Sequence, residues 1–144
     1  MRMAGPVRDA AGVVRVLEGP QAGRFQRDAL DVLVAEPYRV DVDSDRMGFR
    51  LSGLPVGNVP SAGMISEATP PGALQVPPSG RPVLLMADRP TSGGYPVLAT
   101  VISADIGLAG QAAPGDLIRF QLSSRGEALT ALLSRERQLL ALES

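Results

Sequence analysis

The hydrophobic residues of the chain are grouped in short runs, three to six residues long, that alternate with Gly, Pro and polar turn residues. Runs of this length are typical of β-strands. Tyr38 to Asp43 alternates apolar and polar positions, which predicts a half-buried strand, whereas Val83 to Met86 is apolar throughout, which predicts a buried one. The predicted strands are 13–17, 38–43, 49–51, 64–67, 73–76, 83–86, 97–102 and 117–122.

Two shorter segments have the character of helices. Leu30, Leu33 and Val34 recur at helical spacing within 28–34, which predicts a short helix. Pro37 ends this helix, because proline lacks the backbone N–H that a helix interior requires. One further helical turn is predicted within 106–112.

The last segment differs in kind, since Glu127 to Glu143 contains neither Gly nor Pro. Its leucines recur near a period of 3.6, which predicts an amphipathic helix that packs against the core or another subunit. Binding to a membrane surface is disfavoured because the basic face is thin. The leucines concerned are Leu129, Leu132, Leu133, Leu139 and Leu140.

Short strands at regular spacing, many turns and few helices predict a mainly β fold, a small β-barrel or sandwich with helical caps. A length of 144 residues fits one such domain. We expect 1–12 to be a linker or ragged N-terminus, 13–124 to form the β domain and 125–144 to form the C-terminal helix.

Charge and hydropathy limit the kinds of partner that the chain can bind. The chain has 14 basic and 15 acidic residues and a net charge of −1, and it has two Tyr, three Phe and no Trp. It therefore lacks both the basic surface and the stacking aromatics that nucleic acids require. No apolar run has the length of a membrane span or of a signal-peptide core, which predicts a cytoplasmic protein with no membrane partner.

The residue types that are missing narrow the chemistry further. The chain has no His, no Cys and no Lys, so all its basic residues are Arg. It therefore supplies no Ser-His or Cys-His nucleophile pair, no Schiff-base lysine and no zinc site of the usual ligands. Carboxylates, arginines and backbone amides remain as the groups that could act on a ligand. The planar guanidinium group of arginine suits the binding of carboxylate, carbamate or phosphate groups.

The segment from Asp43 to Arg50 combines two carboxylates with arginines between two predicted strands. One interpretation is an Asx turn with a local ion pair, which contributes little at a surface. The other makes Arg46 an anchor for an anion.

A second segment centres on Glu67, the one charged residue between Arg50 and Arg81. A carboxylate among apolar and turn residues is suited to burial and to acid–base chemistry, although an exposed loop glutamate has the same pattern. Gln75 follows on a predicted strand, where its amide could hold a planar lactam-like or urea-like ligand.

The third segment is the long loop from Ala87 to Pro96. Gly93 and Gly94 allow the backbone to approach a ligand closely, and the loop also carries polar side chains. A long hairpin connection is the structural alternative, but loops of this length often carry function. The polar residues are Asp88, Arg89, Thr91 and Tyr95.

The fourth segment is Ser103-Ala104-Asp105, at the end of a predicted strand. Ser103 and Asp105 are both suitable N-cap residues for the predicted helical turn that follows, and we expect them to serve as caps.

Taken in order, these segments resemble a family whose members are variously called the C subunit of 5-oxoprolinase, the second subunit of allophanate hydrolase, urea amidolyase-related protein or Kip antagonist, and with it the biotin-dependent carboxyltransferases. The likeness extends over about residues 13–122. It is carried by Ser44-Asp45-Arg46-Met47-Gly48, by Ser66-Glu67, by Pro71-Gly72-Ala73-Leu74-Gln75-Val76-Pro77, by Ala87-Asp88-Arg89, and by Gly93-Gly94-Tyr95-Pro96 leading to Ser103-Ala104-Asp105.

The resemblance implies a cyclophilin-like β-barrel that forms the carboxyl-terminal half of a longer polypeptide, with an active cleft shared with a missing N-terminal half. One branch of the family acts with the A and B subunits of 5-oxoprolinase in the ATP-dependent opening of 5-oxoproline to glutamate. A second transfers a carboxyl group from carboxybiotin to urea, and a third regulates a Kip-inhibitor-like partner. ATP, through the partner subunits, and carboxybiotin are the cofactors implied.

The resemblance and the isolated carboxylate together define our site hypothesis, in which the chain alone is inactive. Glu67, Asp88 and Arg89 are the expected catalytic residues. The expected substrate-binding residues are Arg46, Gln75, Thr91, Gly93, Gly94 and Tyr95, and no metal ligand is expected.

Overall fold

The computed structural model describes residues 12–44, 47–57, 70–86 and 94–143. Within these ranges the chain forms seven strands, three α-helices and two 3-10 turns, Ala22–Arg24 and Ser103–Asp105. In chain order the elements are β1 Val13–Glu18, α1 Ala29–Ala35, β2 Tyr38–Val40, β3 Gly48–Ser52, β4 Ala73–Gln75, β5 Val83–Leu85, β6 Val97–Val101, α2 Ile106–Ala109, β7 Leu117–Leu122 and α3 Arg125–Glu143.

The seven strands form a closed barrel in the order β1-β6-β4-β5-β3-β2-β7. Strand β7 closes it by pairing parallel to β1, with Val14 opposite Phe120, and antiparallel to β2, with Tyr38 opposite Ile118. All other neighbours are antiparallel. Closure leaves no strand edge unpaired, which protects a small β domain from edge-to-edge aggregation.

The barrel core follows from the alternation of side chains along the strands. Val14 and Val16 on β1 point inward and are fully buried, as are Ile118 and Phe120 on β7. Helix α1 adds Leu33, which is also fully buried. The predicted mainly β barrel with a C-terminal helix is therefore confirmed.

Most of the predicted elements are present, with shifted ends. The strand predicted at 38–43 is only three residues long, because the chain turns after Val40 and the Ser44 N–H donates to the carbonyl oxygen of Asp41 at 3.1 Å. The strand predicted at 64–67 lies outside the described residues.

Helix α3 covers Arg125–Glu143. Ser124 and Glu127 form a capping box, in which the Glu127 N–H donates to the Ser124 side chain at 3.1 Å and the Ser124 N–H donates to the Glu127 carboxylate at 3.0 Å. These hydrogen bonds lower the pKa of Glu127. Leu129 and Leu133 are 57% and 45% exposed, so the core does not cover them, whereas Leu132 is half-buried. Packing of this helix against another subunit stays a prediction.

No helix in the described ranges is both long enough and apolar enough to cross a bilayer.

Candidate ligand-binding site

A groove of about 380 Å³ lies between the turn after β2, strand β3, the end of β4 and the segment that leads into β5. Tyr95, just before β6, lines the same groove. The full lining is Asp41, Asp43, Arg50, Gln75, Pro77, Ser79, Arg81, Pro82, Val83 and Tyr95.

Gln75 is the most buried polar residue of the groove lining. It ends strand β4 and is only 8% exposed. The pairing of β4 with β6 shifts register between Leu74 and Gln75, so that Leu74 is opposite Ala99 but Gln75 is opposite Val97. An irregularity of this kind changes the direction of a side chain and is common next to binding sites.

Gly94 packs directly on the Gln75 amide. A Cβ atom at Gly94 would lie 2.5 Å from Nε2 of Gln75, and the φ angle of Gly94 is +112°. The φ angle favours glycine, because a residue with a side chain rarely adopts this backbone conformation, and a Cβ atom would also displace the Gln75 amide. Gly94 thus approaches Gln75 closely, and its predicted approach to a ligand stays a prediction.

The groove also brings together two arginines and two aspartates from separate segments. Arg81 Nη1 lies 3.9 Å from Asp41 Oδ2, and the Arg81 side chain is 65% exposed. The other carboxylate oxygen of Asp41 accepts a short hydrogen bond from the Ser52 hydroxyl. Arg81 is thus loosely held, and a ligand carboxylate could replace its long contact with Asp41.

Hydrogen bonds of its own backbone hold Arg50 in position on β3. The Arg50 N–H donates to the Ser44 hydroxyl oxygen at 2.9 Å, and the Arg50 carbonyl accepts from the Asp41 N–H at 2.8 Å. Arg50 is an exposed residue that lines the groove. The groove can therefore offer an amide and two cationic donors to a small polar ligand.

Only part of the predicted site is described by the structure. Gln75 and Tyr95 line the same groove and Gly94 contacts Gln75, although about 20 residues of sequence separate Gln75 from the other two. The other predicted site residues, Arg46, Glu67, Asp88, Arg89, Thr91 and Gly93, lie outside the described residues.

The sequence analysis did not select Asp41, Arg50 or Arg81 as site residues. Arg50 lay inside one of the candidate segments, but Arg81 had no local signal beyond its isolation among Pro and Gly. Its contact with Asp41 depends on the pairing of β3 with β5, in which Arg50 is opposite Val83.

The fourth candidate segment, Ser103-Ala104-Asp105, has a structural role. Asp105 stands at the N-cap position of α2, yet its side chain makes no cap hydrogen bond. Its carboxylate instead accepts hydrogen bonds from Arg15 Nε at 2.9 Å and Arg15 Nη2 at 2.7 Å. The expected capping role of Asp105 is therefore wrong, because a cation from β1 occupies the carboxylate.

A larger, more open cleft of about 920 Å³ lies between α3 and the turn at 103–105, and Arg15 and Arg135 line it. We favour the smaller groove as the binding site, because both cations of the larger cleft are already engaged. Arg15 binds Asp105, and Arg135 donates to the backbone carbonyls of Ser103 and Ala104. In the described ranges, no three acidic side chains come together in a way that could hold a metal ion.

The matches to known proteins agree with this architecture. Residues 2–122 match the family model of the carboxyltransferase domain, subdomain A and B. The chain is 38% identical over 134 residues to the 5-oxoprolinase C subunit of Haemophilus influenzae and 36% identical over 124 residues to the 5-oxoprolinase C subunit of Escherichia coli. These stretches are 93% and 86% of this chain, and 42% and 40% of the two relatives.

Two solved structures have a similar fold. The Kluyveromyces lactis urea amidolyase aligns with 87% of this chain and 8% of that chain, at a TM-score of 0.78 and 26% identity. The crystal structure of TTHA0988 aligns with 81% of this chain and 22% of that chain, at a TM-score of 0.64 and 43% identity.

A closed seven-stranded barrel with this family match is a carboxyltransferase-type domain. The chain belongs to the carboxyltransferase domain, subdomain A and B, family, and its relatives include proteins named as the C subunit of 5-oxoprolinase. It spans about two fifths of the length of those two relatives. The family resemblance seen in the sequence is thereby confirmed.

Proposed function

We propose that this chain is the amide-binding part of an ATP-dependent 5-oxoprolinase, which opens 5-oxoproline to glutamate together with partner subunits. The observation that carries the proposal is the groove itself. Its lining combines the buried Gln75 with Arg50 and Arg81, in a chain 38% identical to the C subunit of a 5-oxoprolinase.

The groove complements the two polar ends of 5-oxoproline. This substrate is a planar lactam with one N–H donor and one carbonyl acceptor, and it also carries a carboxylate. The Gln75 side chain has an acceptor oxygen and a donor nitrogen that can pair with both lactam groups. Arg81, whose contact with Asp41 is long, is our candidate for binding the carboxylate, and Arg50 supplies a second cation.

The ring-opening step breaks the lactam C–N bond and adds one water molecule. The carbonyl carbon becomes the side-chain carboxylate of glutamate, and the nitrogen takes up protons as its amino group. In our proposal Glu67 and Asp88 handle these protons and Arg89 stabilises the carbonyl oxygen, while Arg46, Thr91, Gly93, Gly94 and Tyr95 shape the pocket. The partner subunits bind ATP, and the cleft is completed by the rest of the longer polypeptide.

A second candidate is a carboxyltransferase acting on urea or a similar amide, with carboxybiotin as the carboxyl donor. The fold similarity to a urea amidolyase, at a TM-score of 0.78, supports it. Urea is neutral and needs amide contacts but no carboxylate anchor. The 5-oxoprolinase candidate therefore needs Arg81 to bind the substrate carboxylate, whereas the carboxyltransferase candidate does not.

The test is an NMR titration of the chain with 5-oxoproline and with urea. Gln75→Leu keeps the side-chain volume but removes the amide, so it should weaken the binding of either ligand about tenfold. Arg81→Gln should weaken 5-oxoproline by a similar factor and leave urea unchanged. Arg119→Gln, at an exposed position on β7 outside the groove, is the matched control.

The result that would contradict the lactam proposal is 5-oxoproline binding that neither groove variant changes. Tighter binding of urea than of 5-oxoproline, insensitive to Arg81→Gln, would favour the carboxyltransferase. Activity is tested separately, by adding the full-length polypeptide to 5-oxoprolinase partner subunits and measuring ATP-dependent glutamate formation. Glu67→Gln and Arg89→Ala should abolish it.

A further inference from the structure

The backbone around Arg81 is fixed, whereas the Arg81 side chain is not. The carbonyl oxygens of the residues before and after it accept hydrogen bonds from the backbone N–H groups of Val56, at 2.8 Å, and Leu51, at 3.1 Å. The Arg81 side chain is nevertheless 65% exposed, and its Nη1 lies 3.9 Å from Asp41 Oδ2, beyond hydrogen-bond distance. The guanidinium group can therefore change position while the chain that carries it stays in place.

Asp41 is held in place independently of Arg81. Its Oδ1 accepts a short hydrogen bond from the hydroxyl group of Ser52 on β3, and its backbone N–H donates to the Arg50 carbonyl oxygen at 2.8 Å. The Asp41 side chain is also 23% exposed to solvent. The carboxylate thus keeps a hydrogen-bond partner when Arg81 moves away, and the separation costs little because a long, exposed ion pair contributes little to stability.

A ligand carboxylate offers Arg81 a better partner than Asp41 does. A carboxylate that approaches in the plane of the guanidinium group accepts two parallel hydrogen bonds. Asp41 offers Arg81 one distant oxygen, since its other oxygen is bound to Ser52. Asp41 and Arg81 line the same groove as Gln75, so a ligand held by the Gln75 amide lies near both charges.

We propose that Asp41 determines the specificity of the groove, because it holds Arg81 in the absence of ligand and releases it to a ligand that carries a carboxylate. The inference rests on the proposed function and explains why the groove prefers a lactam with a carboxylate to a neutral amide. Binding of the acidic lactam exchanges one ion pair for another. A neutral amide leaves the Asp41–Arg81 pair as it is and gains contacts with Gln75 alone.

The alternative role for Asp41 is to orient Arg81 towards the ligand. An orienting carboxylate would hold the guanidinium group by short hydrogen bonds, and a separation of 3.9 Å is too long for one. The negative charge of Asp41 in the groove lining also repels an incoming carboxylate. Both observations make Asp41 a competitor of the ligand, and the two roles predict effects of opposite sign for Asp41→Asn.

NMR titrations of the full chain with three compounds test the proposal. The compounds are 5-oxoproline, which has a lactam and a carboxylate, 2-pyrrolidinone, which has the lactam alone, and cyclopentanecarboxylate, which has the carboxylate alone. Asp41→Asn should tighten binding of the two carboxylates about threefold, the effect expected for an exposed ion pair, and leave 2-pyrrolidinone unchanged. Asp31→Asn, at an exposed position on α1 outside the groove, is the matched control, since it changes the net charge equally.

The same substitution in an Arg81→Gln background shows whether Asp41 acts through Arg81. In that background Asp41→Asn should change carboxylate binding by less than about 1.5-fold, because there is no guanidinium group to release. A threefold gain that persists would mean that Asp41 acts by repulsion alone and would overturn the proposal. Circular dichroism checks that each variant is folded.

The proposal is also overturned if Asp41→Asn leaves carboxylate binding unchanged, or if it weakens that binding, since Asp41 would then orient Arg81. Failure of the proposed function gives a different result. In that case 5-oxoproline binds no more tightly than cyclopentanecarboxylate, although Asp41→Asn still tightens both. No binding of either carboxylate up to about 100 mM would overturn both proposals.

Discussion

One ion pair, between Arg15 and Asp105, joins the first strand to the turn that follows β6. Asp105 is 4% exposed and accepts three hydrogen bonds from Arg15, from its backbone N–H at 2.9 Å, Nε at 2.9 Å and Nη2 at 2.7 Å. Burial by itself raises the pKa of Asp105, but the hydrogen bonds and charge of Arg15, together with Arg135, outweigh it, so that the pKa is lowered. A buried carboxylate with this many donors is a structural group.

We predict that Asp105→Asn lowers the free energy of unfolding by about 2 kcal/mol, because it leaves Arg15 without its counter-charge. Urea denaturation measures the loss. Arg81→Gln is the comparison, since the Arg81–Asp41 contact is long and exposed and should contribute less than about 1 kcal/mol. Equal losses in the two variants would contradict this assignment.

The same carboxylate predicts a pH dependence. The pKa of Asp105 is lower in the folded chain than in the unfolded chain, so its contribution is fully present above the ordinary value of 3.8. The contribution is lost as the pH falls through the lowered folded pKa. Between about pH 5 and about pH 2, wild type should therefore lose more stability than Asp105→Asn, as followed by thermal unfolding. Parallel curves for the two proteins would be evidence against the pair.

At the scale of the elements, the close approach of the chain after β1 to β6 depends on a glycine. Gly19 follows β1, and its N–H donates to the Leu98 carbonyl at 2.7 Å. A Cβ atom there would lie 2.6 Å from the Val97 oxygen and 2.8 Å from the Leu98 carbonyl carbon. These are backbone atoms of β6, which β1 and β4 hold on both sides, so they cannot move aside.

We predict that Gly19→Ala destabilises the fold by about 2–3 kcal/mol, through displacement of β1 from β6. Gly23→Ala is the matched control, because a Cβ atom at Gly23 meets nothing within 4 Å. It should change stability by less than about 0.5 kcal/mol. Chemical denaturation of both variants gives the comparison, and a Gly19→Ala protein as stable as Gly23→Ala would show that β1 can shift freely.

At the scale of the whole molecule, the barrel closes without the last helix. Strand β7 pairs with both β1 and β2, and these contacts complete the ring before α3 begins. Helix α3 then attaches through Arg135 and through half-buried residues that include Leu132, and its exposed leucines add nothing to the core. We therefore expect that folding requires the barrel strands but not helix α3.

We predict that removal of 125–144 leaves a folded barrel, with a loss of less than about 2 kcal/mol, because only polar contacts and limited burial are removed. An amide NMR spectrum that keeps the dispersed signals of the strands, and a single cooperative urea transition, would support this. A truncated chain that is unfolded would mean that α3 is part of the core. The groove of the truncated chain should still bind its ligand.

Much of the candidate site could not be predicted from local pattern alone. Gln75 and Gly94 were selected for their chemistry, but their contact depends on how the chain before β6 passes over the end of β4. Arg81 was missed because its relation to Asp41 and Arg50 arises from strand pairing between distant segments.

The sequence by itself determined the short strands, the turns between them, the helix at the end and the family, because alternation, helical period and turn residues act over a few neighbouring positions. Only the tertiary structure decided which strands pair, which charges meet in the groove and which side of α3 faces the barrel. Periodicity shows that Leu129, Leu133 and Leu140 share a face. It does not show where that face points, since this depends on the hydrogen bonds that Arg135 donates to the carbonyl groups of Ser103 and Ala104.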